Sequence, residues 1–306
     1  MDYILRTFGL SKKYKKQFAV NQADMNIARG DIYGFVGENG SGKTTIIRLI
    51  TGLISPYSGN FELFGVKNNS KGIAKARRKV GAVVESPSIY LNMSAFDNLK
   101  MQCMLLGIPA DERIGEILEE VGLGELLKDK KHAGNYSLGM RQRLGIAMAL
   151  IGDPEFLILD EPMNGLDPAG IVEIRELILK LNRERNITFL ISSHILSELS
   201  LVATKYGIIS KGHIIKEITA AQLQEEMLKT TDITVDNPEQ LYAVLEDLGY
   251  GEKISPIPNG VRFVGELNFN QILSAIIAQN INITAINCHE SSFEDYYLET
   301  IGGKQA

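Results

Sequence analysis

The first part of the chain alternates apolar and polar residues with the period of a β-strand. Short apolar segments occur at Tyr3–Leu5, Phe18–Val20 and Met25–Ile27, and a continuous apolar run follows at Ile32–Val36. A period of two residues is typical of strands that bury one face. The pattern therefore predicts several β-strands over residues 2–36.

A helical pattern replaces the strands between Ser94 and Leu150. Ser94 is a candidate N-cap, because its hydroxyl can accept a hydrogen bond from a free amide of the first helical turn. The sequence Gly-Ile-Pro at 107–109 ends this helix, and an amphipathic helix is predicted over 113–121. The pattern indicates an all-helical insert, at about residues 86–150, within an α/β domain.

Strands and helices alternate after the insert. A continuous apolar strand is predicted over 155–162, as is typical of parallel strands covered on both faces. A helix over 169–182 and strands over 188–194 and 206–210 come next. This alternation predicts a mainly parallel sheet covered by helices.

The pattern changes again after Ala220. We therefore predict two domains, 1–220 and 221–306, of which the second is a small α+β domain without a nucleotide-binding motif. Its elements follow a βαββαβ-like order, with strands expected over 231–235, 260–264 and 281–286 and helices over 238–248, 269–279 and 292–301.

Composition narrows the class of protein. The 306 residues are 44% hydrophobic and carry a net charge of −5, which is typical of a globular protein and does not favour nucleic acid as a partner. Cys103 and Cys288 lack metal-ligand spacing, so we expect reduced thiols in a cytosolic setting. The sequence shows neither a signal-peptide pattern nor an apolar run long enough to cross a bilayer. If the protein acts on a membrane, the membrane-spanning part is therefore expected on another chain.

A glycine-rich segment stands between the apolar run at 32–36 and an apolar-periodic segment that starts at Ile46. This order of strand, turn and helix is that of a phosphate-binding loop. Glycines let successive amides converge on phosphate oxygens, and the positive end of the helix dipole points at the same anion. Lys43 can reach the β- and γ-phosphates, and the Thr44 hydroxyl can ligate Mg²⁺. The candidate loop consists of Gly37, Glu38, Asn39, Gly40, Ser41, Gly42, Lys43 and Thr44.

Two carboxylates, Asp160 and Glu161, end the apolar strand of the later alternation. Asp160 can hold Mg²⁺ through water, and Glu161 can orient or deprotonate an attacking water. The alternative is a pair of surface carboxylates, which the upstream phosphate loop disfavours. Ser137 resembles an N-cap and Gly139 allows close backbone approach, but this segment alone indicates only an ordinary capped helix.

Five segments in this order resemble the ATP-binding subunits of ABC transporters, over about the first 220 residues. They are GENGSGKT at 37–44, YSLGMRQR at 136–143, FLILDEP at 156–162, NGLD at 164–167 and SSH at 192–194. The resemblance implies a P-loop NTPase, with a RecA-like core, an antiparallel β subdomain and the helical insert. It also implies that ATP and Mg²⁺ serve an ATPase coupled to transmembrane transport.

The resemblance assigns roles to the matching residues. Tyr14 matches the aromatic residue that stacks on adenine, with Phe18 as the alternative. Glu161 matches the catalytic carboxylate, and His194 matches the histidine that contacts the γ-phosphate and the attacking water. The phosphate and metal positions correspond to Lys43, Thr44 and Thr45, with Asp160 as a further metal position.

The signature segment departs from the family pattern at two positions, since Leu138 stands where Gly is usual and Met140 where Gln is usual. Ser137 and Gly139 remain, and they match the residues that cap the γ-phosphate of a nucleotide held by the opposite protomer. Anion capping is therefore expected to survive. The loop at 164–167 matches the segment that links two active sites across a dimer.

Glu85 is a further departure, because most members of the family have Gln there. That position normally touches Mg²⁺ and the water, so the resemblance implies catalytic and metal-binding roles for Glu85. An ionised carboxylate accepts but does not donate hydrogen bonds, and it adds negative charge near the metal. Together with the segment at 86–100, Glu85 resembles the bacitracin-resistance and lantibiotic-immunity branch of ABC exporters. The alternative is a neutral replacement.

The same resemblance implies partners. They are a second copy of the chain, closed head to tail around ATP, and a permease subunit supplied by another chain at the cytoplasmic face of the membrane. Two other classes stay open: a soluble ABC ATPase acting on ribosomes or nucleic acid, and a nucleotide-binding regulator without activity. The single phosphate loop and the acidic balance argue against the first class. The joint presence of Lys43, Glu161 and His194 argues against the second.

Overall fold

The computed structural model describes residues 2–227, 229–265, 268–290 and 292–302. The chain divides into two compact units, Met1–Ala220 and Ala221–Ala306. Strands of the first unit are β1 (Tyr3–Tyr14), β2 (Gln17–Ala23), β3 (Asn26–Ala28), β4 (Ile32–Val36), β5 (Ser58–Leu63), β6 (Val66–Lys67), β7 (Val80–Val83), β8 (Phe156–Asp160), β9 (Thr188–Ser193), β10 (Lys205–Ser210) and β11 (His213–Thr219). Helices of the first unit are α1 (Lys43–Thr51), α2 (Ile73–Arg77), α3 (Ala95–Leu106), α4 (Asp111–Glu120), α5 (Leu138–Leu150), α6 (Pro168–Arg185) and α7 (Leu196–Ser200).

A six-stranded sheet forms the centre of the first unit, in the order β11-β10-β4-β9-β8-β7. Five of these strands run parallel, and β11 joins the edge antiparallel to β10. Every residue of β4 and β8 is buried, which explains their continuous apolar runs. The predicted α/β class is confirmed, and the carboxyl ends of β4, β7, β8 and β9 lie along one edge of the sheet.

A second, antiparallel sheet joins β2, β1, β5 and β6, with β3 paired to the start of β1. The apolar segment at Tyr3–Leu5 is only the beginning of the first strand. β1 continues for 12 residues and ends at Tyr14. The extension is held by β2, because Tyr14 pairs with Gln17 across a tight turn in which Lys15 takes a φ of 50°.

Helix α1 packs into a core that residues of both sheets share. Burying an apolar helix face against two sheets fixes the position of the loop that precedes the helix. The buried residues of α1 in this core are Ile46, Ile47, Leu49 and Ile50.

The helical insert contains α3, α4 and α5. Ser94 caps α3 as expected, since its hydroxyl accepts a hydrogen bond from the Asp97 amide at 3.1 Å. Gly107 ends α3 in the left-handed conformation, with φ 68°. The helix expected over 113–121 begins two residues earlier and ends at Glu120.

The second unit contains β12 (Lys229–Val235), β13 (Ile254–Ile257), β14 (Gly260–Val264) and β15 (Ile283–Glu290), with α8 (Ala220–Glu226), α9 (Pro238–Asp247), α10 (Phe269–Ala278) and α11 (Phe293–Gly302). Its sheet is antiparallel, in the order β13-β14-β12-β15. Leu241 and Leu245 of α9 pack with Phe263 and Ile276 in its core. The βαββαβ-like order has two strands between its helices, and only the second was given a range. The first is β13, whose four residues include Pro256, a residue that disfavours strands.

Glu155 immediately precedes β8 and forms ion pairs with residues from two turns of the first unit. Its carboxylate lies 2.7 Å from Lys79 Nζ and 2.8 Å from Arg29 Nη1. The hydrogen bond from Lys79, followed by that from Arg29, lowers the pKa of Glu155. A lowered pKa in the folded state means that the folded form holds the proton less tightly than the unfolded chain.

We therefore expect Glu155→Gln to lower the free energy of unfolding at pH 7 by up to about 1 kcal/mol, since the carboxylate is partly exposed. The difference from wild type is present above the ordinary carboxyl pKa and disappears as the pH falls through the lowered one. Urea denaturation between pH 7 and about pH 3 measures it, because the difference is lost only below the ordinary carboxyl pKa. The exposed Glu176, changed to Gln, is the matched control. An equal loss of stability at every pH would contradict the assignment.

Candidate phosphate-binding site

Residues 37–42 connect the buried strand β4 to α1. At two glycines of this segment, any residue with a Cβ atom would clash with neighbouring backbone. A Cβ atom at Gly37 would lie 2.5 Å from the carbonyl oxygen of Ile209. At Gly42 it would lie 2.6 Å from the carbonyl oxygen of Ala19, with φ at 115°. The chain is thus packed closely against its neighbours on one side. Gly40, with φ 81°, has open space around it.

Lys43 is 6% exposed and its ammonium group lies inside the curve of the loop. Nζ donates to the carbonyl oxygens of Gly37 at 2.6 Å and Glu38 at 3.2 Å. It also lies 3.5 Å from Oε1 of Glu161. Ser41 Oγ is buried and has no hydrogen-bond partner among the residues that the structure describes. A cationic group and an unsatisfied hydroxyl in one loop are what an oxyanion would satisfy.

Asp160 ends β8 and is only 2% exposed. Its Oδ2 accepts a hydrogen bond from Thr44 Oγ1 at 2.9 Å, and its Oδ1 accepts one from Ser192 Oγ at 2.5 Å. Sequence reasoning assigned no role to Ser192. The signal that locates it is the parallel register of β8 and β9, in which Asp160 and Ser192 are direct partners.

Glu161 follows Asp160 in a left-handed conformation, with φ 51°. Its amide donates to Ser192 Oγ at 3.0 Å, and its Oε2 lies 2.8 Å from His194 Nδ1. The structure thus brings Lys43, Glu161 and His194 together at the carboxyl ends of β4, β8 and β9. A carboxylate held by a lysine and a histidine at this edge is poised to orient a polar group.

Glu85 lies two residues beyond the end of β7, which is the strand that pairs with β8. Its carboxylate forms an ion pair with the guanidinium of Arg48 on α1. Sequence reasoning missed Arg48, whose position in the last turn of an amphipathic helix marks it only as a favourable C-terminal charge.

Three aromatic residues lie on the antiparallel sheet and its turns. Tyr14 is 46% exposed and has Lys12 Nζ 5.4 Å from its ring centroid. Phe18 packs edge to face against Tyr57, with ring centroids 5.8 Å apart. Tyr14 and Phe18 are both accessible as stacking surfaces, and Tyr57 is an aromatic neighbour that the sequence analysis did not identify.

Ser137 is the N-cap of α5, and its hydroxyl accepts from the Met140 amide at 3.2 Å. Asp167 caps α6 in the same way through Gly170, at 3.1 Å. A Cβ atom at Gly139 would meet no heavy atom closer than 4.0 Å, so the start of α5 is open to a ligand or a second chain. Helix N-termini of this kind favour anions.

A cleft of about 760 Å³ lies between the end of β7 and the helical insert. Its floor includes the loop after β7, and its sides come from α3 and α5. Residues of each part are Val84, Ser86 and Pro87 of the loop, Gln102 and Leu105 of α3, and Gly145 and Met148 of α5.

Two negative findings apply to the described ranges only. No group of three or more His, Cys, Asp or Glu side chains forms a metal-binding cluster there. Thr44 and Asp160 nevertheless provide oxygen ligands side by side, and Mg²⁺ takes few protein ligands when phosphates supply the rest. Within the same ranges, none of the helices combines the length and the apolar character needed to cross a bilayer.

The fold and the site define a phosphate-loop nucleotide-binding protein: a parallel sheet, a glycine-rich loop leading into α1, and carboxylates at the ends of neighbouring strands. Residues 20–164 match the ABC transporter family. The chain belongs to this family as an ATP-binding subunit that hydrolyses ATP.

Two relatives match all or most of this chain. It is 41% identical to the bacitracin transport ATP-binding protein BcrA of Bacillus licheniformis, over 99% of both chains. It is 43% identical to the lantibiotic transport ATP-binding protein SrtF of Streptococcus pyogenes, over 73% of this chain and 95% of that protein.

Solved structures agree on the fold. CbiO1 of Clostridium perfringens, described as part of the ABC transporter complex cbiONQ, matches with a TM-score of 0.67 and 29% identity, over 74% of this chain and 92% of that one. A dimeric ATP-binding cassette in a post-hydrolysis state with ADP and Pi matches with a TM-score of 0.64 over 71% of this chain and 98% of that one. At 24% identity, the second likeness concerns the fold alone.

Proposed function

We propose that this chain is the ATPase subunit of an exporter that confers resistance or immunity to peptide antibiotics of the bacitracin or lantibiotic type. The observation that carries the proposal is the full-length similarity to a protein named for bacitracin transport, at 41% identity. Similarity to a protein named for lantibiotic transport supports the same class of substrate.

Nucleotide binding is assigned to the loop at 37–44 and to Thr45 behind it. Lys43 and the loop amides hold the β- and γ-phosphates, and Tyr14 or Phe18 stacks on adenine. Thr44 and Asp160 are the ligands that would hold Mg²⁺, with Glu85 at the same edge of the sheet. The metal, when bound, neutralises charge on the β- and γ-phosphates.

Hydrolysis is assigned to Glu161 and His194. Glu161 accepts a hydrogen bond from the attacking water and removes its proton, because an ionised carboxylate is an acceptor only. His194 holds the Glu161 carboxylate through its 2.8 Å contact and reaches the γ-phosphate. Ser192 keeps Asp160 and the Glu161 backbone in place.

A second copy of the chain completes the site. The open N-terminus of α5, with Ser137 and Gly139, supplies an anion-binding surface for a triphosphate held by the facing copy. The loop at 164–167 lies beside this surface, since a Cβ atom at Gly165 would contact Leu138 at 3.4 Å. ATP favours the closed dimer by contacting both copies, and hydrolysis releases it.

The membrane partner is a permease subunit carried by another chain, and the complex sits at the cytoplasmic face of the membrane. The 760 Å³ cleft beside Glu85 is the surface that receives a helix of the permease. Its mixed apolar and polar lining suits an amphipathic segment.

Drug-susceptibility profiling tests the proposal. Cells that carry this chain with its permease are expected to tolerate bacitracin-like or lantibiotic peptides better than cells without it, with no change for unrelated antibiotics. A strain with Lys43→Ala separates ATP-driven export from effects of the permease alone. An unchanged response across the peptide panel would contradict this substrate class.

Two alternatives receive less support. A soluble ABC ATPase acting on ribosomes or nucleic acid is not favoured, because relatives named for transport extend over 99% of the chain and its net charge is −5. A non-catalytic regulator is disfavoured by the contacts among Lys43, Glu161 and His194.

A further inference from the structure

Glu85 and Glu161 occupy equivalent positions on neighbouring strands. Val83 pairs with Leu159 in parallel register, so the second residue beyond this pair is Glu85 on one strand and Glu161 on the other. Both residues are in the left-handed region, with φ 64° and 51°. Adjacent strands lie about 5 Å apart. Two carboxylates therefore belong to the same short stretch of the sheet edge.

A tight turn centres on Glu85. The Ser86 amide donates to the Val84 carbonyl oxygen at 2.8 Å, which closes a three-residue turn. With a positive φ at its central residue, this is the rare and strained form of the γ-turn. Strain of this kind at a non-glycine residue persists only where surrounding contacts maintain it, and it concentrates at functional sites.

The contact at the Glu85 side chain comes from α1. Arg48 Nη2 donates to Glu85 Oε1, and the side chains are 37% and 58% exposed. A pair this exposed contributes little to global stability. Helix α1 thus provides a cation to both of these glutamates: Lys43 lies 3.5 Å from Glu161, and Arg48 binds Glu85.

We propose that Arg48 is a positioning residue that holds the Glu85 carboxylate on α1 and neutralises its charge. An unpaired carboxylate at this edge repels an incoming triphosphate, whereas a neutral amide needs no counter-ion. Arg48 thereby makes a glutamate at position 85 compatible with tight binding of magnesium-bound ATP. This inference rests on the proposed placement of the nucleotide at Lys43.

A purely structural role for Arg48 makes a different prediction. Arg48 lies in the last turn of α1, where a cation stabilises the helix dipole whatever residue stands at 85. Under that role, loss of Arg48 has the same effect whether position 85 carries a carboxylate or an amide. Under the proposed role, the effect depends on the carboxylate of Glu85.

The test is a titration of the full-length chain with a fluorescent ATP analogue and Mg²⁺. We expect Arg48→Ala to weaken binding about fivefold, and the loss to shrink in high salt because it is electrostatic. Glu85→Gln provides the reference background, because a neutral amide at position 85 needs no counter-ion. The double variant is expected to match Glu85→Gln within about twofold, as coupled residues do in a double-mutant cycle. Lys75→Ala, which removes an exposed positive charge on α2, is the matched control.

Equal losses in the wild-type chain and in the Glu85→Gln variant, or no loss in either, would overturn the inference. Arg48→Gln repeats the measurement with a longer polar side chain if the alanine variant does not fold. Lys43→Ala distinguishes a failure of the proposed nucleotide site from a failure of the role assigned to Arg48. If wild type and Lys43→Ala bind equally, the proposed nucleotide site fails; if only the Glu85-dependent loss is missing, the role of Arg48 alone fails.

Discussion

Glu161→Gln is expected to reduce ATP turnover by about 10²–10⁴-fold, because the amide cannot take a proton from the attacking water. Nucleotide binding is expected to persist. The Gln side chain has nearly the same shape, and Lys43, whose ammonium lies 3.5 Å from the carboxylate in the wild-type chain, remains in place. The variant should therefore accumulate as a nucleotide-filled dimer that does not reopen.

Phosphate release from the purified chain and from its permease complex measures the first effect. Size-exclusion chromatography with and without Mg²⁺ and ATP measures the second. Glu184→Gln, which removes an exposed carboxylate from α6, serves as the control. Retained turnover in the Glu161→Gln variant would remove the assigned role, while loss of both binding and turnover would indicate a damaged fold.

Lys43→Ala is expected to weaken ATP binding by roughly a hundredfold or more, since removing one partner of a buried charged contact costs about 2–5 kcal/mol. Lys43 is 6% exposed and joins the loop carbonyls of Gly37 and Glu38 to Glu161. Its loss removes the cation that faces the phosphates. It also leaves the Glu161 carboxylate without its nearest lysine.

Equilibrium titration with labelled ATP measures this loss, and urea denaturation checks that the fold survives. Lys67→Ala, an exposed lysine of β6, is the control for the change in net charge. Binding within about threefold of wild type, a difference of less than about 1 kcal/mol, would contradict the placement of the triphosphate at this loop.

The phosphate loop could be located from the sequence because its constraints are local. Gly42 takes a backbone conformation that favours glycine, with φ at 115°, and Lys43 follows at a fixed spacing at the start of a helix. Buried parallel strands are similarly local, since burial of both faces leaves a continuous apolar run such as Ile32–Val36. The α/β class and the family followed from such segments in order.

Contacts between distant segments could not be predicted in the same way. Asp160 and Ser192 are direct partners only because β8 and β9 are neighbours in register. Arg48 meets Glu85 because α1 packs against β8, the neighbour of β7 in the sheet. Neither contact corresponds to a residue spacing that could be recognised in the sequence.

The length of β1 likewise could not be predicted from its own sequence. Its extension to Tyr14 depends on pairing with β2, whereas its own polar, lysine-rich end is typical of a turn. The sequence alone thus determined which residue types could bind a triphosphate and where the loop begins. The tertiary structure decided which charged groups face one another, because side chains separated by tens of residues come together only through sheet register and helix packing.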